Sequence, residues 1–210
     1  MNSNPIKYPS TPHLPFSQGL QRDDTRITTL DYLNGREVVV TEKMDGENCS
    51  MYYDHIHARS LDSRHHPSRD WVKNFWSTIK HDIPEGYRIC GENLYAQHSV
   101  AYESLPSYFM GFSVWNGTRC LSWNDTQEFF ELLGIQSVPV LYRGVFDLEL
   151  LERMAEGFDV ANKEGFVVRV AEGFDYSEFD THVAKWVRSG HVQTDKHWMH
   201  QQVRPNGLQG

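Results

Sequence analysis

Hydrophobic positions along the chain fall mostly into short runs broken by polar turns, a pattern that predicts strands more often than helices. The first run, Val38-Val39-Val40-Thr41, is β-branched throughout and ends where Lys43-Met44-Asp45-Gly46 brings charge and a tight turn. Ser50-Met51-Tyr52-Tyr53 and His55-Ile56-His57-Ala58-Arg59 predict a hairpin around Asp54. Tyr87-Arg88-Ile89-Cys90 predicts a strand ending at Gly91-Glu92-Asn93, and the run from Tyr108 to Trp115 predicts another, closed by the hairpin turn Asn116-Gly117. The run from Val138 to Tyr142 reads as a strand that Pro139 confines to a sheet edge. Glu164 to Ala171 and His182 to Arg188 give the last two strands.

Helical spacing occurs in three places. Trp71, Val72, Phe75, Trp76 and Ile79 predict an amphipathic helix over 69–80, lying on the sheet with its aromatics in the core. A second helix is expected after Asn124, with Gln127 placed for a capping box and Gly134 to end it. Leu148, Leu151 and Met154 mark a third, capped by Asp147 and ended by Gly157. Many strands with a few helices, and no regular βαβ alternation, define an α+β fold with largely antiparallel sheets flanked by helices. Pro5, Pro9, Pro12 and Pro15 make residues 1–30 an extended N-terminal arm, and 1–210 reads as a single domain. The tail from Ser189 to Gly210 is polar, with Trp198 as its large anchor.

Composition narrows the class. A chain of 210 residues, 39% hydrophobic and 13% aromatic, can bury a core unaided. It has no apolar run of membrane-spanning length, and no signal peptide is visible after Met1, so a cytoplasmic location without membrane is expected. Cys49, Cys90 and Cys120 are odd in number and widely spaced, which fits reduced thiols. The Asn-x-Ser/Thr triplets at Asn48, Asn116 and Asn124 matter only in a secreted chain. A formal charge of -8 argues against nonspecific coating of nucleic acid, yet Arg59, Arg64, Arg69 and Lys73 concentrate positive charge in one stretch. His55 and His57 share a strand face, but two histidines without a third ligand read as ordinary polar positions.

The chemistry centres on Lys43, a lysine at the rigid end of a buried strand. Lys43-Met44-Asp45-Gly46 resembles the Lys-x-Asp-Gly signature of the covalent nucleotidyltransferases, which include polynucleotide ligases and messenger RNA capping enzymes. The further elements of that superfamily follow in order: Arg59-Ser60, Gly91-Glu92, Phe112, Glu164-Gly165-Phe166-Val167-Val168-Arg169 and Lys185. Glu47-Asn48, the opening Tyr8-Pro9-Ser10-Thr11-Pro12-His13-Leu14 and the stretch from His191 to Trp198 are similar to the phage-type RNA-repair ligases, and the likeness covers nearly the whole chain.

That resemblance implies an ATP-grasp-like ligase domain with the nucleotide pocket between its layers. It implies ATP, Mg2+ or Mn2+, and RNA ends bearing a 5′-phosphate and a 3′-hydroxyl. Lys43 would be adenylylated, the AMP passed to the 5′-phosphate, and the strand sealed by the 3′-hydroxyl. Lys43 must first lose a proton from a group whose ordinary pKa is about 10.4, which calls for positive charge nearby, from the metal and Lys185. Lys43, Lys185 and Glu164 are the expected catalytic residues, with Glu164 also able to hold metal or its waters. Glu42, Asn48, Arg59, Glu92, Phe112, Arg169 and Lys185 are expected at the nucleotide: the arginines on ribose or phosphate, Glu92 on the ribose hydroxyls, Phe112 stacked on adenine. Asp45 is expected to orient the lysine turn, and Arg64, Arg69 and Arg188 to meet nucleic acid.

The sequence also departs from the resemblance. Many relatives carry two lysines one residue apart in the last motif, whereas here Lys185 is followed by Trp186, Val187 and Arg188. The short run beyond Lys185 leaves no room for a C-terminal oligonucleotide-binding domain, which raises the expectation of a substrate-binding or end-healing partner protein. Two competing readings stand beside the RNA ligase: a DNA ligase or capping-type guanylyltransferase with another donor or acceptor, and a noncatalytic RNA-binding relative.

Overall fold

A computed structural model describes residues 4–20, 22, 24–61, 65–190 and 203–210. Arg64, Trp198 and the stretch from His191 to Trp198 lie outside the described residues. Two antiparallel sheets carry the fold. The first contains β1 (Glu37–Lys43), β8 (Val140–Val145), β9 (Gly165–Val170) and β11 (Val183–Val187), in the order β11-β9-β1-β8. The second runs β10 (Phe174–Asp175), β6 (Arg119–Cys120), β5 (Phe109–Asn116), β4 (Tyr87–Asn93), β2 (Glu47–Met51) and β3 (Ile56–Ala58). A short β7 (Gln136–Ser137) joins β5 in parallel.

Val38, Val39 and Val40 have no exposed surface because β1 lies between β8 and β9 and is covered on both faces. On one face, Val38 and Val40 join Phe166, Val168 and Leu151, the last from α3 (Leu148–Glu156). On the other, Val39 joins Met110 of β5 and Trp123, so the two sheets meet across that face. The outer face of the second sheet is covered by Val72 and Ile79 of α1 (Asp70–Ile79) and Phe130 of α2 (Trp123–Leu133), packed on Met51, Ile89 and Phe109.

Several predicted elements shift in detail. The helix placed after Asn124 starts earlier: Ser122 is its N-cap, accepting from the Asp125 amide at 3.1 Å, because burial of Trp123 fixes the first turn. Asn124 and Gln127 form no capping box; Gln127 donates instead to Ser137 Oγ at 3.1 Å. Gly134 ends the helix in the left-handed conformation, and Asp147 and Gly157 bound α3 as expected. The Val138 strand begins at Val140 and does sit at an edge. β4 runs through Gly91 to Asn93, which puts Glu92 on a strand rather than in a turn.

Asp45-Gly46 closes no hairpin, since β1 and β2 belong to different sheets and these residues carry the chain from one to the other. A Cβ at Gly46 would lie 2.5 Å from the Asn93 carbonyl oxygen, so glycine permits the close crossing. The arm is more than a lead-in. Leu14 donates its amide to the Lys185 carbonyl at 2.7 Å and Lys185 donates its own to Pro12 at 2.8 Å, which lays the arm alongside β11. Near the other terminus, Asn206 is buried, with its side chain donating to the Leu94 carbonyl at 2.8 Å and accepting from the Tyr102 amide at 2.9 Å.

Candidate active site

Directly opposed residues share a sheet face, so the register sets which side chains converge. Across the first sheet, Lys43 lies opposite Gly165, and Thr41 opposite Val167, which in turn opposes Lys185. Lys43, Thr41, Val167 and Lys185 therefore share the face that Val39 turns toward the second sheet. Across the second sheet, Glu92 lies between Asn48 and Met110, and Met110 belongs to the inter-sheet core. The two faces enclose a cleft with Lys43 and Lys185 on one wall and Asn48 and Glu92 on the other.

Lys43 donates to Glu164 Oε1, and Glu164 has no exposed surface. Burial works to lower the Lys43 pKa, but Glu164, Glu92 and Asp45 together hold it above the ordinary lysine value. The lysine is thus stored as an ammonium. Glu92 is pushed up to about 8, first by burial and then by the charges of Glu164 and Asp45, against the pull of Lys43. Near neutral pH Glu92 is therefore mostly the neutral acid, and Glu164 and Asp45 are the negative groups that hold the Lys43 ammonium. Asp45 spends its carboxylate on structure, accepting from Ser99 Oγ at 2.8 Å and from the Val100 amide at 2.6 Å. Lys185 is lowered, chiefly by burial and also by Lys43, while Asp24 opposes that shift.

The other expected site residues divide. Phe112 is an extra residue where β5 bulges against β4, between Gly111 and Ser113, and its ring meets Tyr8 of the arm edge-on at 5.2 Å. Asn48 Oδ1 is buried without a hydrogen-bond partner on the cleft wall. Arg169 shares the Lys43 face but lies at the closed end, donating to the Leu121 carbonyl at 2.8 Å and lying over Trp123 and Phe174. Glu42 points to the opposite face, where Lys163 Nζ donates to it at 2.5 Å. Arg59 is exposed and donates to Ser10 of the arm.

Arg69, expected at nucleic acid, is buried and ion-paired with Glu47, so its charge is already matched. That pair lines a cavity of about 160 Å3 with Cys49, His57 and Lys73, under α1 on the far side of the second sheet from the cleft. Arg188, by contrast, keeps a buried Nε without a partner just beyond β11. Sequence reading missed Asp24, His13, Tyr8 and Lys163, all of which touch site residues. Asp24 and the Lys163-Glu164 dipeptide were visible, but only the folded arm brings Asp24 to Lys185, and only the strand register sets Glu164 against Lys43 and Lys163 against Glu42.

Two facing sheets with a strand-end lysine in the cleft between them form the nucleotidyltransferase fold of ligases. Solved structures agree: a Naegleria gruberi RNA ligase variant with ATP and manganese aligns with a TM-score of 0.52 and 16% identity, over 86% of this chain and 57% of that one. A putative ATP-dependent DNA ligase from Aquifex aeolicus aligns at 0.56 and 20%, over 86% and 49%. An archaeal ATP-dependent RNA ligase aligns at 0.55 and 15%, over 83% and 48%. The profile of the RNA ligase family matches residues 36–187, and the chain belongs to that family. It spans about half the length of those solved structures. A search of curated protein sequences gives no match. Among the described residues no helix is long and apolar enough to cross a membrane.

Proposed function

We propose that the chain is an ATP-dependent RNA ligase acting in RNA repair, with Lys43 as its nucleophile. The observation that carries this reading is the buried Lys43–Glu164 pair at the mouth of the inter-sheet cleft, in a chain of the RNA ligase family. Lys43 Nζ attacks the α-phosphorus of ATP, forms the phosphoamide and releases pyrophosphate. The AMP then passes to an RNA 5′-phosphate, and a 3′-hydroxyl displaces AMP as the phosphodiester forms. Phe112 offers its face to adenine, Glu92 and Asn48 face the ribose, and Lys185 meets the phosphates. Arg169 stiffens the closed end of the cleft, Arg59 acts from its border, and Glu42 supports the Lys43 strand from the opposite face through Lys163. Arg188, just beyond β11, is the arginine assigned to meet RNA.

The ammonium form of Lys43 must be discharged before attack, and the carboxylates oppose this. A divalent cation, Mg2+ or Mn2+, supplies the charge that offsets them. Among the described residues no three His, Cys, Asp or Glu side chains form a metal cage. Glu164 would hold such a cation or its waters, and the cation would supply positive charge beside Lys43. The reading includes a cytoplasmic location and an end-healing partner protein.

Incubation with labelled ATP, GTP or NAD and a divalent metal tests the reading, since only the true donor labels Lys43. Glu164→Ala and Lys185→Ala should reduce the ATP label strongly, and changes at His55 or His57 should not. Label from GTP or NAD instead, or from none of the three, would defeat the proposal. Sealing of nicked RNA, single-stranded RNA and nicked DNA then fixes the acceptor. The DNA arm is warranted by the fold shared with the Aquifex protein.

A further inference from the structure

The arm carries a line of buried polar groups that ends on Lys185 and has no part in the chemistry above. His13 and Ser17 are 1% and 4% exposed. Ser17 Oγ lies 2.7 Å from His13 Nδ1, and His13 Nε2 lies 3.0 Å from Asp24 Oδ2. Lys185 Nζ donates to the other Asp24 oxygen at 3.3 Å.

One tautomer satisfies every link. The Asp24 carboxylate can only accept from Nε2, so Nδ1 accepts the Ser17 hydroxyl proton, while Ser17 Oγ accepts the Val187 amide at 3.0 Å. The ring proton then sits on Nε2 and is donated to Asp24. Burial, and next the charge of Lys185, depress the His13 pKa to about 4, so the neutral ring this tautomer requires persists at neutral pH. The scaffold is held by the backbone of the same strand that carries Lys185: Leu14 donates to Lys185, and Gly19 donates to the Val187 carbonyl at 2.9 Å.

We propose that Asp24 is a positioning residue for Lys185: gripped by His13, which Ser17 holds in turn, its carboxylate fixes the Lys185 ammonium against the cleft and keeps it charged. A lysine side chain has four rotatable bonds, and burial alone favours its neutral form. A carboxylate anchored through a buried histidine answers both problems. A plug that gave way to the nucleotide would gain nothing from having its second oxygen held in this manner. The catalytic consequence rests on the ligase reading; the placement of Lys185 does not.

Two measurements separate these. In ligand-free protein carrying lysine enriched with 13C at Cε, the Lys185 resonance, assigned by its loss in Lys185→Arg, is followed through a pH titration. Asp24→Asn should lower its midpoint by about one pH unit, tenfold in proton affinity, and Ser17→Ala should lower it less. A midpoint unmoved in both variants overturns the proposal. In the second arm, Asp24→Asn slows labelling by ATP on the order of tenfold, as for other groups that orient a direct contact. The double variant Asp24→Asn with Lys185→Ala is then no slower than Lys185→Ala alone. Effects that multiply in the double variant overturn the claim that Asp24 acts through Lys185. Absence of label on the unaltered chain defeats the ligase reading, and the titration then decides the role of Asp24 by itself.

Discussion

The Lys43 ammonium donates to Glu164, a carboxylate with no exposed surface, from the strand directly beside the one that Glu164 precedes. Each group is the other's means of remaining charged in a desolvated place. Lys43→Ala should therefore abolish covalent labelling and also destabilise the fold, by about 3 kcal/mol, because Glu164 is left buried without its cation. Adding Glu164→Gln should recover most of that loss without recovering label. Urea unfolding of the unaltered chain and the two variants checks the first part, and labelled ATP the second.

Glu92 gives the protein a pH-dependent stability with a defined sign. Its folded pKa of about 8 lies above its ordinary value, so the folded state holds a proton that the unfolded chain gives up. The associated stability is complete below about 4.5 and is lost as pH rises toward 8. Glu92→Gln should flatten this slope, so that its advantage over the unaltered protein in denaturant titrations is greater at pH 8 than at pH 5.

His13 acts in the opposite direction. Its folded pKa of about 4 lies below the ordinary 6.5, so its contribution is present above 6.5 and lost as pH falls toward 4. His13→Gln should blunt the decline in stability across that interval. Parallel unfolding curves at pH 4.5 and 7 measure it, and an unchanged difference between the two would count against a buried neutral ring.

What the sequence revealed and what it withheld have a common physical cause. Strand cores and helix ends are local: Val38 to Val40, the Asp147 cap and the Gly134 terminus were all legible because a few adjacent residues determine them. Lys43, Glu92 and Lys185 could be named from motif order, but not the cleft faces they share, which depend on pairings such as Val167 with both Thr41 and Lys185. Arg69 shows the limit most clearly. In the sequence it sits in a basic stretch, and in the fold Glu47, 22 positions away, neutralises it. The arm was the largest gap, since its proline-rich text gives no sign that residue 13 will pair with residue 185.

Phe112 projects from a bulge in β5, half-buried and in T-shaped contact with Tyr8 at 5.2 Å, and the proposed function gives it the adenine ring to stack on. Phe112→Ala should raise the ATP concentration needed for half-maximal labelling roughly tenfold, within the range of truncated base-stacking residues. Phe112→Tyr should retain most of the affinity. A Phe112→Ala enzyme that labels normally at low ATP would mean that the ring is core alone.

Glu42 and Lys163 repeat, on the opposite face of the sheet, the pairing of their neighbours Lys43 and Glu164. Lys163 Nζ lies 2.5 Å from Glu42 Oε2 with the lysine 35% exposed and the carboxylate 6%. The two crossed pairs join consecutive residues of β1 to the segment entering β9, so the second fixes the backbone from which Glu164 reaches Lys43. Solvent screens the lysine end, and Lys163→Met should cost about 1 kcal/mol in unfolding experiments. Its effect on labelling should be larger than that loss suggests, since Glu164 would no longer be held in register with Lys43. Lys163→Arg should restore both. If Lys163→Met instead lowers stability but labels at the full rate, then Glu164 is positioned by β9 and the core beneath it, with no contribution from the second pair.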